Sequence, residues 1–68
     1  MSNIQSVLFD RKYFTHYAAI QWLSKHGYKH YKLDKTPHYL RYRQFNPSPY
    51  KRYRIISFSP IIKAVIQF

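Results

Sequence analysis

Two segments of the chain place arginine at every second position, the repeat of a β-strand. One reads His38-Tyr39-Leu40-Arg41-Tyr42-Arg43-Gln44-Phe45, the other Lys51-Arg52-Tyr53-Arg54-Ile55-Ile56. Side chains on a strand alternate faces with period two. Arg41 and Arg43 therefore share a face with Tyr39 and Phe45, while Leu40 and Tyr42 take the other. In the second segment Arg52 and Arg54 share a face opposite Tyr53 and Ile55. Paired as a hairpin, the two segments would put an arginine-and-aromatic surface on one side and an apolar floor on the other.

At 68 residues the chain suffices for one small domain, 1–68, near the lower limit for independent folding. It has no cysteine, so no disulfide or thiolate-bound metal can staple a small core. Stability must come from packing, and eight Tyr, five Phe and one Trp are the natural source, since each aromatic can bury roughly 150–250 Å². The alternative is stability borrowed from a partner or a second copy.

Twelve Lys and Arg against two Asp and no Glu give a formal charge of +10. That balance points to a polyanionic partner: nucleic acid, an anionic membrane or an acidic protein surface. A merely solubilising charge would not require so few acids. The start, Met1-Ser2-Asn3-Ile4-Gln5, lacks the basic-then-apolar order of a signal peptide, and no apolar run approaches the roughly 18–20 residues of a membrane span. The expected location is a virion or the interior of a cell, not a secreted state.

Ile4 to Phe9 reads as a strand, with Ile4, Ser6 and Leu8 on one side and Gln5, Val7 and Phe9 on the other. Thr15 is a helix N-cap candidate, and Phe14 with Ala19 occupies the positions of a hydrophobic staple. The helix would run from about His16 to His26, with Ala19, Ile20 and Leu23 inward and Trp22 at the margin. Gly27 suits the left-handed residue that ends it. Tyr28 to Leu33 reads as the next strand, Asp34-Lys35-Thr36-Pro37 as a turn, and His38–Phe45 as the third strand. Asn46-Pro47-Ser48-Pro49 is a connection, because two prolines remove two ladder donors. The fourth strand follows at about Lys51–Phe58. The tail from Ile61 to Phe68 opens after Ser59-Pro60, which could start a helix, but its β-branched run favours a strand pairing with the first. The expected fold class is α+β: β-α-β-β-β, with one helix packed on one face of a mostly antiparallel sheet. Leu40, Tyr42, Tyr53 and Ile55 would face the helix.

Catalysis finds little material. Asp10 and Asp34 are the only acidic side chains and both fall in expected turns. General acid–base work needs a positioned group of tuned pKa; His38 beside Asp34 is the nearest approach to one. A lone Gly27 builds no phosphate loop. The four histidines, His16, His26, His30 and His38, lack paired zinc-ligand spacing, since Gly27 separates His26 from His30. No enzyme, metal or cofactor is expected. Basic residues interleaved with aromatics fit nucleic acid instead: cations neutralise phosphates, and rings stack on the bases of single strands. The expected interface is Lys32, Tyr39, Arg41, Arg43, Phe45, Lys51, Arg52 and Arg54, with Tyr50 able to extend it. A second class of function is structural: an assembly piece that docks on an acidic protein surface through its basic face, or through an apolar C-terminal strand at an open sheet edge. A homodimer is compatible with either. Membrane binding fits poorly, because the helix carries only Lys25 and two histidines on its polar face.

Short segments across most of the chain carry a resemblance. Ser6-Val7-Leu8-Phe9, Ala19-x-x-Trp22-Leu23-x-x-His26-Gly27-Tyr28-Lys29, Tyr42-Arg43-Gln44 followed by Pro47, then Arg54, and Ile62-Lys63-Ala64-Val65-Ile66 together resemble a small domain of large DNA viruses and tailed phages. In phages, similar segments accompany head-maturation genes. The resemblance implies a viral origin and a virion- or genome-associated role; DNA is expected as ligand ahead of RNA, a choice the residues themselves leave open. It brings no catalytic residues. This chain departs from the pattern at Ser57-Phe58-Ser59-Pro60, where a glycine-containing approach to the last strand is usual.

Overall fold

The computed structural model describes residues 3–46 and 48–68, the side chain of Asn3 excepted. Met1, Ser2 and Pro47, which the sequence reading used, lie outside the described residues. The elements are β1 (Asn3–Asp10), α1 (His16–Lys25), β2 (Lys32–Lys35), β3 (Tyr39–Arg43), β4 (Tyr53–Ser59) and β5 (Ile62–Gln67). The strands form one antiparallel sheet in the order β2-β3-β1-β5-β4, with the helix on one face. The α+β class is that expected, with one helix among the described residues, and the tail is a strand that pairs with β1. Among the described residues no helix is long and apolar enough to cross a membrane.

Local signals account for the helix. Thr15 is extended and its side chain accepts the N–H of Ala18 at 3.2 Å, which satisfies one of the first-turn donors. At the other end Gly27 takes φ +77°, the left-handed conformation open to a residue without Cβ. The N–H groups of Tyr28 and Gly27 then fold back to the carbonyls of Leu23 and Ser24, at 2.8 and 3.3 Å. That pairing closes the helix as a Schellman motif.

Ala19 and Leu23 of the helix are fully buried against Val7, Phe9, Leu40, Tyr42 and Ile62 of the sheet. The Phe9 ring meets Phe14, Trp22 and Tyr42 edge-on, with centroids 4.9, 5.5 and 5.6 Å away. Burying each such side chain contributes about 1.5–3 kcal/mol. A core of aromatics around one helix replaces the absent disulfides.

Five expectations require correction. The two arginine segments do not form a hairpin, because β1 and β5 lie between β3 and β4. The second strand is Lys32–Lys35 rather than Tyr28–Leu33, so Asp34 and Lys35 belong to a strand and not to a turn. Here the Thr36 side chain and backbone close the turn tightly onto Tyr39. The residues before β2 pair with a side chain instead: the Gln44 amide receives the Lys29 N–H at 2.7 Å and donates to its carbonyl at 2.9 Å.

The third correction concerns β1, whose alternation is interrupted between Ile4 and Ser6 by a bulge. Two residues there oppose one on the partner strand. The side chain of Gln5 thereby joins that of Ser6 on the side away from the helix, and Ile4 packs on the helix side with the core. The fourth is β4. Ile56 lies opposite Ala64, and Ala64 opposite Val7, so Ile56 takes the helix side. Tyr53 and Ile55, expected beneath the helix, are on the open face. The tail, expected as an open apolar edge, is an interior strand paired on both sides. The edges are β2 and β4.

Candidate nucleic-acid interface

The face away from the helix is ordered in rows that run across the strands. One row is Asp34, Arg41, Leu8, Lys63 and Ser57; the next is Lys32, Arg43, Ser6, Val65 and Ile55. Strands lie about 4.8 Å apart, so Arg41 and Lys63, two strands apart, are separated by about 10 Å at the backbone. Four cations, Lys32, Arg41, Arg43 and Lys63, therefore share one half of an uncovered sheet face. The other half, Val65, Ile55 and Tyr53, is uncharged.

The side chains on this face are held. Arg41 donates from Nε to Ser6 Oγ and from Nη2 to Gln5 Oε1, both at 3.0 Å. Gln5 and Ser6 are fully buried, and Gln5 also donates from Nε2 to the Phe45 carbonyl at 2.8 Å. The β1 bulge thus supplies two polar groups that fix one guanidinium and leave part of it free to meet a ligand. Arg43 is half-buried, and its Nε lies 2.8 Å from Asp34 Oδ2. The N–H is not aimed along that line, so the contact is an ion pair without a hydrogen bond. Lys63 Nζ donates to Tyr39 Oη at 3.3 Å and sits 5.7 Å from that ring's centroid.

Of the expected interface residues, the fold brings together Lys32, Tyr39, Arg41 and Arg43. Phe45 lies past the end of β3 and borders a separate depression of about 350 Å³ with Tyr31, Lys29, Lys32 and Arg43. Lys51 is in the turn before β4, away from the ladder. Arg52 exchanges backbone hydrogen bonds with Phe68, and its alternation with Tyr53 carries Arg52 and Arg54 to the helix side. Arg54 there stands 5.6 Å from the Phe68 ring centroid. Neither arginine shares the rows of Arg41 and Arg43, because the parity of β4 is set by β5 and not by β3, although Arg54 borders a depression that Arg41 also lines.

Sequence reading missed Lys63, Gln5, Ser6 and Tyr53. Lys63 had a signal: it is the one charged residue of the Ile61–Phe68 run, and alternation from it selects Val65 and Gln67 as its face partners. Gln5 had none, since a bulge leaves no mark in the alternation. Together Gln5, Arg41, Tyr53, Arg54, Ile55 and Val65 line an open depression of about 380 Å³ at the border between the basic and uncharged halves. Among the described residues no three His, Cys, Asp or Glu converge as metal ligands would. No protein-family model, curated protein or solved structure matches the chain.

Proposed function

We propose that the chain is a non-enzymatic nucleic-acid-binding protein that uses its open sheet face. The observation that carries this reading is the clustering of Lys32, Arg41, Arg43 and Lys63, with Tyr39 among them, on a face that no described element covers. Cations so arranged track a phosphate backbone and release counterions, which gives affinity with little sequence preference. Tyr39, and Tyr53 across the border, offer ring faces to unpaired bases. Arg43 is partly neutralised by Asp34, so Arg41, Lys32 and Lys63 carry most of the charge toward a ligand. The resemblance to domains of large DNA viruses and tailed phages is the sole ground for making the ligand a viral genome and the setting a virion or infected cell.

The test is fluorescence anisotropy against single- and double-stranded oligonucleotides over a salt series. Binding is expected to weaken steeply with salt. Replacing Lys32 and Lys63 together by alanine should flatten the slope by up to about 1.8 on duplex and about 1.4 on single strands. Replacing Arg11 and Lys12, in the turn after β1, should change it less. Equal losses from the two pairs would overturn the face assignment. An absence of binding at low salt would overturn nucleic acid as the ligand and turn attention to an acidic protein surface.

A further inference from the structure

The two edges of the sheet are built differently. β2 is four residues long and reads Lys-Leu-Asp-Lys, the charged, short edge by which proteins discourage strand pairing. β4 is seven residues long, and from Tyr53 to Ser57 it carries one charge, Arg54. Its exposed side chains include Tyr53, Ile55 (62% exposed) and Phe58. Among the described residues no strand pairs with its outer side.

The direction of the free backbone groups follows from the ladder. Arg52 exchanges N–H···O bonds with Phe68 in both directions, at 3.0 and 2.9 Å. Such bonded pairs recur at every second residue of an antiparallel strand. Arg54 and Ile56 therefore turn their N–H and C=O toward β5, and Tyr53, Ile55 and Ser57 turn theirs outward. We infer that this edge pairs with the β4 of a second copy, antiparallel about a two-fold axis at Ile55.

The register is self-complementary. Ile55 meets its counterpart across the axis, Tyr53 meets Ser57, and each outward N–H and C=O finds a partner. On the helix side Arg54 meets Ile56, so no like charges stand directly opposite, the arrangement that would destabilise a cross-strand pair. The bulge between Ser57 and Ser59 falls outside the paired five residues. A two-fold pairing uses one patch twice, and this segment needs no other sequence to complete it. The result is one continuous sheet in which the basic halves of two open faces flank a central strip of Tyr53, Ile55 and Val65. Two copies at +10 each repel, and salt screens that repulsion, so pairing strengthens as salt rises, opposite to the trend for nucleic-acid binding.

Sedimentation equilibrium of the full chain without nucleic acid, at about 50–500 µM in low and high salt, reads the outcome. Wild type should approach twice the 8.4 kDa chain mass, more completely at high salt. Ile55→Lys sets two ammonium groups together on the axis and should sediment as one chain. Ile55→Pro removes an outward donor that the intramolecular ladder does not use, a position proline tolerates on edge strands, and should also sediment as one chain. Circular dichroism of each variant shows whether the fold is retained, and either folded variant suffices. A wild type of one-chain mass throughout would overturn the pairing. So would a folded variant that self-associates as wild type does, or a mass that climbs beyond two chains.

Discussion

The tripeptide Arg-Tyr-Arg occurs twice, as Arg41-Tyr42-Arg43 and Arg52-Tyr53-Arg54, and the two copies end inverted. In β3 the tyrosine points into the core and the arginines into the open face. Tyr42 has no exposed surface, touches Phe9 and shares a 2.7 Å hydrogen bond with His16 Nδ1. In β4 the tyrosine is on the open face, 39% exposed, and donates from its hydroxyl to the Ser48 carbonyl at 2.7 Å. Its arginines lie on the other side. Alternation decides which residues travel together; the neighbouring strand decides which way they face. β3 lies between β2 and β1 beneath the aromatic core, whereas β4 has only β5 beside it.

The largest test of that contrast is truncation of each tyrosine. Tyr42→Ala should lower stability by about 3–5 kcal/mol, the range for removing a buried ring. Tyr53→Ala should cost under about 1 kcal/mol, as at a position open to solvent. Urea titrations of the two variants read the difference directly. Comparable losses would mean that the two tripeptides are buried alike.

The same contrast explains what the sequence could and could not tell. The helix was legible because its signals are local: Thr15 caps one end and Gly27 closes the other within a few residues of each boundary. Leu40 and Tyr42 were legible because they alternate with charged residues, so one face had to be apolar. Ile55 and Ile56 are adjacent and both apolar, so either could face inward. Only pairing Ile56 with Ala64 settles it, and that partner lies eight residues away on a strand expected to pair with β1 and not with β4. Three of the four cations of the basic site were therefore readable: Arg41 and Arg43 from β3, and Lys32 from the strand before it. The rest, Lys63 and the pair Gln5 and Ser6, depends on which strands become neighbours and on one bulge.

A middle-sized effect separates the arginines. Arg41→Ala leaves the buried Gln5 Oε1 and Ser6 Oγ without one of their partners, which should cost about 1–3 kcal/mol. Arg54→Ala, at an exposed edge position, should stay within about 0.5 kcal/mol. Thermal melts of both variants decide it, and equal shifts would show that the β1 bulge does not hold Arg41.

The smallest effect concerns the proton on Tyr42. Burial raises its pKa above the ordinary value of 10.0, because the phenolate would lose its water. Below pH 10 the phenol is neutral in both folded and unfolded chains, and its contribution to stability is complete. As pH rises past 10, the unfolded phenol ionises while the folded one keeps its proton, so stability falls until the higher folded value is reached. Tyr42→Phe removes the bond to His16, at a cost of about 0.5–1.5 kcal/mol near neutral pH. The variant has no phenol there to ionise, so above pH 10 its stability should fall less steeply than that of wild type. The groups titrating elsewhere are common to both chains and cancel in the comparison. Melting curves from pH 8 to 11 should therefore converge. Parallel curves would mean that the phenol of Tyr42 meets solvent as freely in the folded chain as in the unfolded one, and the inversion between the two tripeptides would lose its clearest electrostatic mark.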